Sequence, residues 1–387
     1  MTTARFFREP STIKFGLESA VEAGPEASRL RASRALLVTD EILLNNGTVA
    51  PVIESLKKAG LDPVVYSGVD SEPTLSHVQT GLEMLKTGKC DVLVACGGGS
   101  SIDTAKAISI MATNPGTIQK YMGIGKVVKA GLPLIAIPTT AGTGSEVTMV
   151  TIITDTDRDV KMLIGSPELM PAVALVDPLM TVKMPRRLTA ATGLDALTHA
   201  IEAYVSVKSQ PMSDLLALSA VELLGRYLPQ AWSNPDNIEA RSMTLLGAMQ
   251  AGIAFSNSSV ALVHGMSRPI GAYFHVAHGV SNAALLGIVM DFSLMGATSR
   301  YADIAEKLGV PTAGLSELDA ARAGADRVKE MIQMLKVPSL SDLGVTKANL
   351  DKLVSTMADD AIASGSPGNN PRKATKEEII QLYYDAL

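Results

Sequence analysis

From residue 35 to about residue 137, short apolar runs alternate with longer stretches of helical periodicity, and this alternation restricts the fold more than any other feature of the chain. Residues 35–39, 64–66, 92–96 and 134–137 read as strands, and residues 49–59, 75–86 and 101–111 read as helices. Strand and helix in turn predict βαβ units around a parallel sheet. Further β-rich pieces follow at 147–154, 160–164 and 172–176, the last closed by Asp177-Pro178. Beyond Pro185 the β-branched runs vanish, and long Ala/Leu/Met-rich patterns at 213–232, 238–255, 316–335 and 347–361 predict helices. We therefore expect an α/β domain with a Rossmann-like parallel sheet over residues 1–184 and an all-helical domain over 185–387. The Gly-, Pro- and Asn-rich stretch 364–372 reads as the most flexible loop.

Hydrophobic residues make up 47% and charged residues 19% of the 387, enough apolar material for large cores. Thirty-four basic against thirty-nine acidic side chains give a net charge of −5, which argues against a nucleic-acid partner. No uncharged apolar window of membrane-spanning length is present, and Arg5, Arg8 and Glu9 interrupt the N-terminal stretch where a signal peptide needs its apolar core. No membrane association and a cytoplasmic location are expected. Cys90 and Cys96 flank one short strand, too close along an extended segment to bridge.

Two glycine-rich turns follow predicted strands. Gly97-Gly98-Gly99-Ser100 precedes the helix at 101–111, an order that leaves bare N–H groups and a positive dipole end for a diphosphate. The second turn, Pro138-Thr139-Thr140-Ala141-Gly142-Thr143-Gly144-Ser145, carries hydroxyls at another strand end. Ligands of open parallel sheets collect at such ends, so a nucleotide is expected. Neither turn is GxGxxG. Asp40, at the end of the first run, is placed to accept from ribose hydroxyls and repel a 2′-phosphate, favouring NAD over NADP; an Asx turn or helix cap is its other reading.

Of five histidines, His199, His264, His275 and His278 fall within one eighty-residue stretch. Asp195 and His199, four apart, share a helix face. His264 and His278 end a helix-and-turn segment able to bring both rings to that pair. A carboxylate and three imidazoles suit one divalent first-row metal, iron(II) or zinc. Asp195 also reads as the last member of a capping box, Thr192-Gly-Leu-Asp195. His77 reads as an ordinary surface residue.

Taken together, Gly97-Gly-Gly-Ser-Ser-Ile-Asp-Thr-Ala-Lys106, Pro138-Thr-Thr-Ala-Gly-Thr-Gly-Ser-Glu-Val-Thr148, Gly193-Leu-Asp-Ala-Leu-Thr-His-Ala-Ile-Glu-Ala-Tyr204 and His264-Gly-Met with Gly279 resemble the iron-containing (group III) alcohol dehydrogenases. The resemblance implies Asp195, His199, His264 and His278 as metal ligands, iron(II) first and zinc second. It implies Gly97, Gly98, Gly99 and Ser100 on the NAD diphosphate, Asp103, Thr139 and Thr140 around the cofactor, Thr148 and Lys161 near the nicotinamide half, and Leu179 packed against it. It further implies a homodimer or larger homo-oligomer, with substrate in a cleft between the domains. Such a metal lowers the pKa of an alcohol, whose carbon passes hydride to the nicotinamide.

Many members carry another histidine four residues after the third ligand, where this chain has Arg268. His275 is expected to contribute to proton transfer instead. Arg268 reads either as a structural ion pair or as a cation that meets a substrate carboxylate, which would make the chain a hydroxy-acid dehydrogenase. Met149, Val150 and Thr151 predict an apolar pocket wall and a short aliphatic alcohol or aldehyde. A metal- and NAD-using lyase resembling dehydroquinate synthase is the rival from another reaction class; it needs more cations around its substrate than Arg268 alone.

Overall fold

A computed structural model describes residues 4–158 and 160–387. The chain divides into two compact units, Arg8–Lys183 and Met184–Leu387, the second joined by residues 4–7.

In the first unit nine strands follow one another among the described residues: β1 (Thr12–Phe15), β2 (Ala35–Val38), β3 (Val64–Tyr66), β4 (Val92–Gly97), β5 (Gly123–Ile124), β6 (Leu134–Pro138), β7 (Val150–Asp155), β8 (Val160–Gly165) and β9 (Val173–Val176). Six of them form one sheet in the order β1-β9-β6-β4-β2-β3, with every pairing parallel. This is the parallel sheet that the alternation predicts. The chain adds β3 on one side of β2 and β4 on the other, so a topological switch point lies between the carboxyl ends of β2 and β4. The edge strand β1 was not foreseen; its partner β9 lies some 160 residues further along, with Thr12 opposite Val173.

Side-chain alternation covers both faces of the sheet. Leu36, Val38, Leu93, Ala95, Leu134 and Ala136 enter one core, while Ala35, Leu37, Val92, Val94, Ile135, Ile137, Val173 and Leu175 enter the other. Fully buried central strands of this kind are characteristic of parallel sheets with helices on both sides. Cys90 and Cys96 are buried free thiols, and burial raises the Cys96 pKa, leaving it inert.

Buried polar groups fasten the two glycine-rich turns to each other. Lys106, in the helix Gly99–Met111 that follows the first turn, donates to Thr148 O, Thr148 Oγ1 and Val150 O, each at 2.9 Å. Asp103 of the same helix accepts from Ser145 Oγ and from the Ile152 N–H at 2.9 Å. Thr143 packs so closely on Gly99 that a Cβ there would stand 2.8 Å from its methyl carbon. Burial lowers the Lys106 pKa to about 8, against the pull of the Asp103 and Glu146 charges, and raises that of Glu146 to about 7.

The second unit is built from helices, among them Arg186–Val205, Pro211–Ser233, Ile238–Ser258, Leu262–Phe274, His278–Ser293, Glu317–Met334 and Lys347–Ala363. The helix Arg186–Val205 runs unbroken through Thr192, whose Oγ1 donates to Leu188 O, so the capping-box reading of Asp195 does not hold. The stretch 364–372 is far from loose: Ser366, Pro367, Asn369 and Asn370 are buried. Asn369 Nδ2 donates to Val260 O at 2.9 Å, and Pro367 seats against Gly265. Among the described residues one helical stretch, His278–Gly296, is long and apolar enough to cross a membrane, and it is mostly buried within the fold.

The raised Glu146 pKa carries a sign. The fold prefers the protonated carboxyl, so its stabilising contribution is complete below the ordinary value of 4.5 and is lost as pH rises through about 7. Glu146→Gln, which keeps the neutral shape, should therefore gain stability relative to wild type between pH 4 and pH 8, by up to about 3 kcal/mol. Denaturant unfolding of both proteins at the two pH values measures this; a constant difference would contradict it.

Candidate metal and cofactor sites

Helical periodicity builds half of the metal site. Asp195, His199 and Glu202 occupy positions i, i+4 and i+7 of the helix Arg186–Val205, one face over two turns, and all three are buried. The third imidazole, His264, stands in the first turn of the helix Leu262–Phe274. The fourth residue, His278, opens the next helix after a turn through His275, whose backbone is left-handed with φ 55°.

Asp195, His199 and His264 bring one donor atom each within 4.8 Å of one another. His278 joins them, its Nε2 3.7 Å from Asp195 Oδ1, the same distance as His264 Nε2. The His199 ring stacks between Phe255 and His264, with centroids at 4.2 and 4.5 Å. Asn282, one turn beyond His278, donates from Nδ2 to Asp195 Oδ1 at 2.6 Å and lies 3.2 Å from the Nε2 atoms of His264 and His278. All four sequence-derived ligand candidates thus converge.

The rings are held from behind. Glu202 Oε2 lies 2.5 Å from His264 Nδ1, and its other oxygen accepts from the Val263 N–H at 2.6 Å. Ser267 Oγ sits 3.4 Å from His278 Nδ1 and 2.6 Å from Ser281 Oγ. With Nδ1 engaged, each ring turns Nε2 towards Asp195. A carboxylate or hydroxyl behind an imidazole is the usual support of a metal-binding histidine.

Burial, the largest cause, holds the His264 pKa well below its usual value; His199 and Arg268 add to this and Asp195 opposes it. His278 is lowered to about 3, again chiefly by burial, although its side chain is 38% exposed. Both imidazoles are therefore neutral at pH 7, the protonation state that ligates. Burial also raises the Glu202 pKa to about 7, opposed by backbone N–H donors. One carboxylate with neutral nitrogens, and no thiolate, fits a divalent cation such as iron(II) or zinc.

His275 is the exception among the clustered histidines. It is exposed at the end of its helix, and the geometry gives no support to a proton relay through it. Arg268 lies one turn after His264, with Nη1 donating to Ser366 Oγ at 3.1 Å. Among the described residues it forms no ion pair, so the structural ion pair expected of it is not found. His77 caps its own helix, accepting from the Thr74 N–H, and faces Asp70.

In the α/β unit, Gly98, Gly99 and Ser100 follow the buried Gly97 at the end of β4 and are partly exposed. The helix beginning at Gly99 has no side-chain cap, so its first N–H groups remain available to an anion. Thr139 is buried and donates its N–H to Gly97 O, while Thr140 is half-exposed against Gly98. Asp40 lies at the switch point and caps the following helix, Oδ1 accepting from the Leu43 N–H at 2.8 Å. Leu179 is 39% exposed just past β9.

Two expected cofactor residues are engaged inside the fold, and a third is paired at its surface. Asp103 and Thr148 belong to the buried fastening described above. Lys161 pairs with Glu72 at 2.6 Å. Thr151, expected in a pocket wall, is buried and donates to Asp103 O. Glu202 and Asn282 were not singled out from the sequence, although their spacings, seven after Asp195 and four after His278, place them on the ligand-bearing faces.

Comparison with known proteins agrees with this layout. The profile of the iron-containing alcohol dehydrogenases matches residues 10–178, and that of the Fe-containing alcohol dehydrogenase family C-terminal region matches residues 189–387. The NAD-dependent methanol dehydrogenase of Bacillus methanolicus is 38% identical over 383 residues, 99% of each chain. The 1,3-propanediol dehydrogenase of Citrobacter freundii is 38% identical over 381 residues, 98% of this chain and 97% of that one. A crystal structure of a 1,3-propanediol oxidoreductase superimposes with a TM-score of 0.97 at 36% identity, covering all of both chains. Two matching profiles and relatives aligned end to end leave one assignment: this chain belongs to the iron-containing alcohol dehydrogenase family, metal-dependent oxidoreductases acting on CH–OH groups.

Proposed function

We propose that this chain interconverts a small alcohol and its aldehyde or ketone with NAD, using a single divalent cation, iron(II) rather than zinc, held by Asp195, His199, His264 and His278. The observation that carries the reading is the convergence of one carboxylate and three imidazoles from three helices, two of the rings held at Nδ1 so that Nε2 faces inward. A cation in that set supplies Lewis acidity, which lowers the pKa of an alcohol and polarises a carbonyl. NAD⁺ supplies the hydride acceptor, giving alcohol + NAD⁺ = aldehyde + NADH + H⁺. Glu202 keeps the Nδ1 proton of His264 and so keeps the Nε2 lone pair directed inward.

Gly98, Gly99 and Ser100 would cradle the diphosphate with the uncapped N–H groups of their helix. Asp40 would offer its second oxygen to the ribose and disfavour a 2′-phosphate. Small alcohols are the substrates named for the methanol and propanediol relatives, which supports a short primary alcohol here. The edge strand β1, with Phe15, Leu17 and Val21 exposed on and just after it, supports a homodimer or larger homo-oligomer. Buried free thiols suit a reducing, cytoplasmic setting.

Purified protein should carry about one divalent metal per chain by elemental analysis and form NADH from a panel of short alcohols. Chelation should abolish turnover and iron(II) restore it; turnover unaffected by complete metal removal would refute the reading. Glu202→Gln should weaken metal affinity about tenfold to a hundredfold, measured by competition with a chelator on folded protein. Equal affinity in both proteins would show that Glu202 does not position His264.

A further inference from the structure

Among the described residues no carboxylate forms an ion pair with the Arg268 guanidinium. It occupies the helix position one turn beyond His264, about 6 Å along the axis, on the same face. Its one side-chain hydrogen bond among the described residues goes from Nη1 to Ser366 Oγ, at the edge of the buried stretch that seats Pro367 on Gly265. The carboxylate whose charge reaches it, that of Glu202, is already taken by the Val263 N–H and the His264 ring. The residue is only partly buried, and none of its nitrogens is among the sealed polar atoms that lack a partner among the described residues. A planar fork of donors presented in this way matches the oxygens of an oxyanion.

We propose that Arg268 is a specificity-determining residue that binds an anionic head group of the substrate, making the preferred substrates short hydroxy acids and the matching aldehyde acids. The shared chemistry is a carboxylate, sulfonate or phosphonate carried a short way along the chain from the reacting carbon. Ser366 Oγ accepts one of the guanidinium hydrogen bonds and so helps to position it. This rests on the dehydrogenase reading above and narrows its substrate class.

The test compares kcat/KM for 3-hydroxypropanoate, 2-hydroxyethanesulfonate and 1-propanol in the metal-loaded wild type, Arg268→Ala and Arg268→Lys. Wild type should favour an acid over 1-propanol, and the favoured acid identifies the head group. Arg268→Ala should lower the acid-to-propanol ratio by about tenfold to a hundredfold, mostly through KM, with Arg268→Lys in between. Because each ratio is taken within one protein, a loss of folded fraction cancels. Propanoate, which carries the head group but no hydroxyl, should inhibit 1-propanol oxidation competitively in wild type and less in the lysine variant; this arm stands even where the alanine variant does not fold. A wild type that oxidises 1-propanol with no preference for either acid and no inhibition by propanoate overturns the role of Arg268 alone. A metal-loaded protein that forms NADH from none of the three overturns the dehydrogenase reading beneath it.

Discussion

A single buried carboxylate, that of Glu202, fixes the geometry on which the proposed metal site depends. Its helix already carries Asp195 and His199 on one face, and its oxygens take hold of the next ligand-bearing helix at the Val263 N–H and the His264 ring. One side chain thereby sets the start of a helix and the orientation of an imidazole. Burying a carboxylate is costly unless donors surround it, and here backbone N–H groups do so. His278 arrives through a tight turn instead, its ring steadied by Ser267.

The α/β unit solves a comparable problem differently. Its glycine-rich turns follow separate strands, β4 and β6, and their relative placement rests on Lys106 and Asp103, which reach from one helix to the segment after the second turn. A buried fastening of this kind, its charged groups held by backbone and hydroxyl partners, contributes placement more than net stability. It leaves the outer surface of the turns to small residues and N–H groups, the chemistry a diphosphate requires. The buried residues of the motif therefore hold the turns in place, while Gly98, Gly99, Ser100 and Thr140 are left half-exposed.

Much of this was legible in the sequence because it follows from local periodicity. Strand, turn and helix alternate visibly before residue 138, and the spacing of Asp195 and His199 is a helix spacing. What was not legible depends on long-range contact. The strand β1 is four residues long and gains its identity from β9, at the far end of the unit. Asp103 and Thr148 lie within recognisable motifs, yet a motif does not say which of its side chains turn inward. The stretch 364–372 has a loop's composition, but Ser366, Pro367 and Asn369 find partners about a hundred residues earlier, on the helix Leu262–Phe274 and in the link before it. Thr192-Gly-Leu-Asp195 matches a capping box only while the helix is taken to start there.

The central claim is that four side chains hold one cation. Anomalous diffraction at the iron edge, from crystals grown with iron(II), tests it most directly. The account predicts a single peak about 2.0–2.2 Å from an Asp195 oxygen and from one nitrogen each of His199, His264 and His278. A peak elsewhere in the chain, or none at that position in a fully loaded sample, would contradict it.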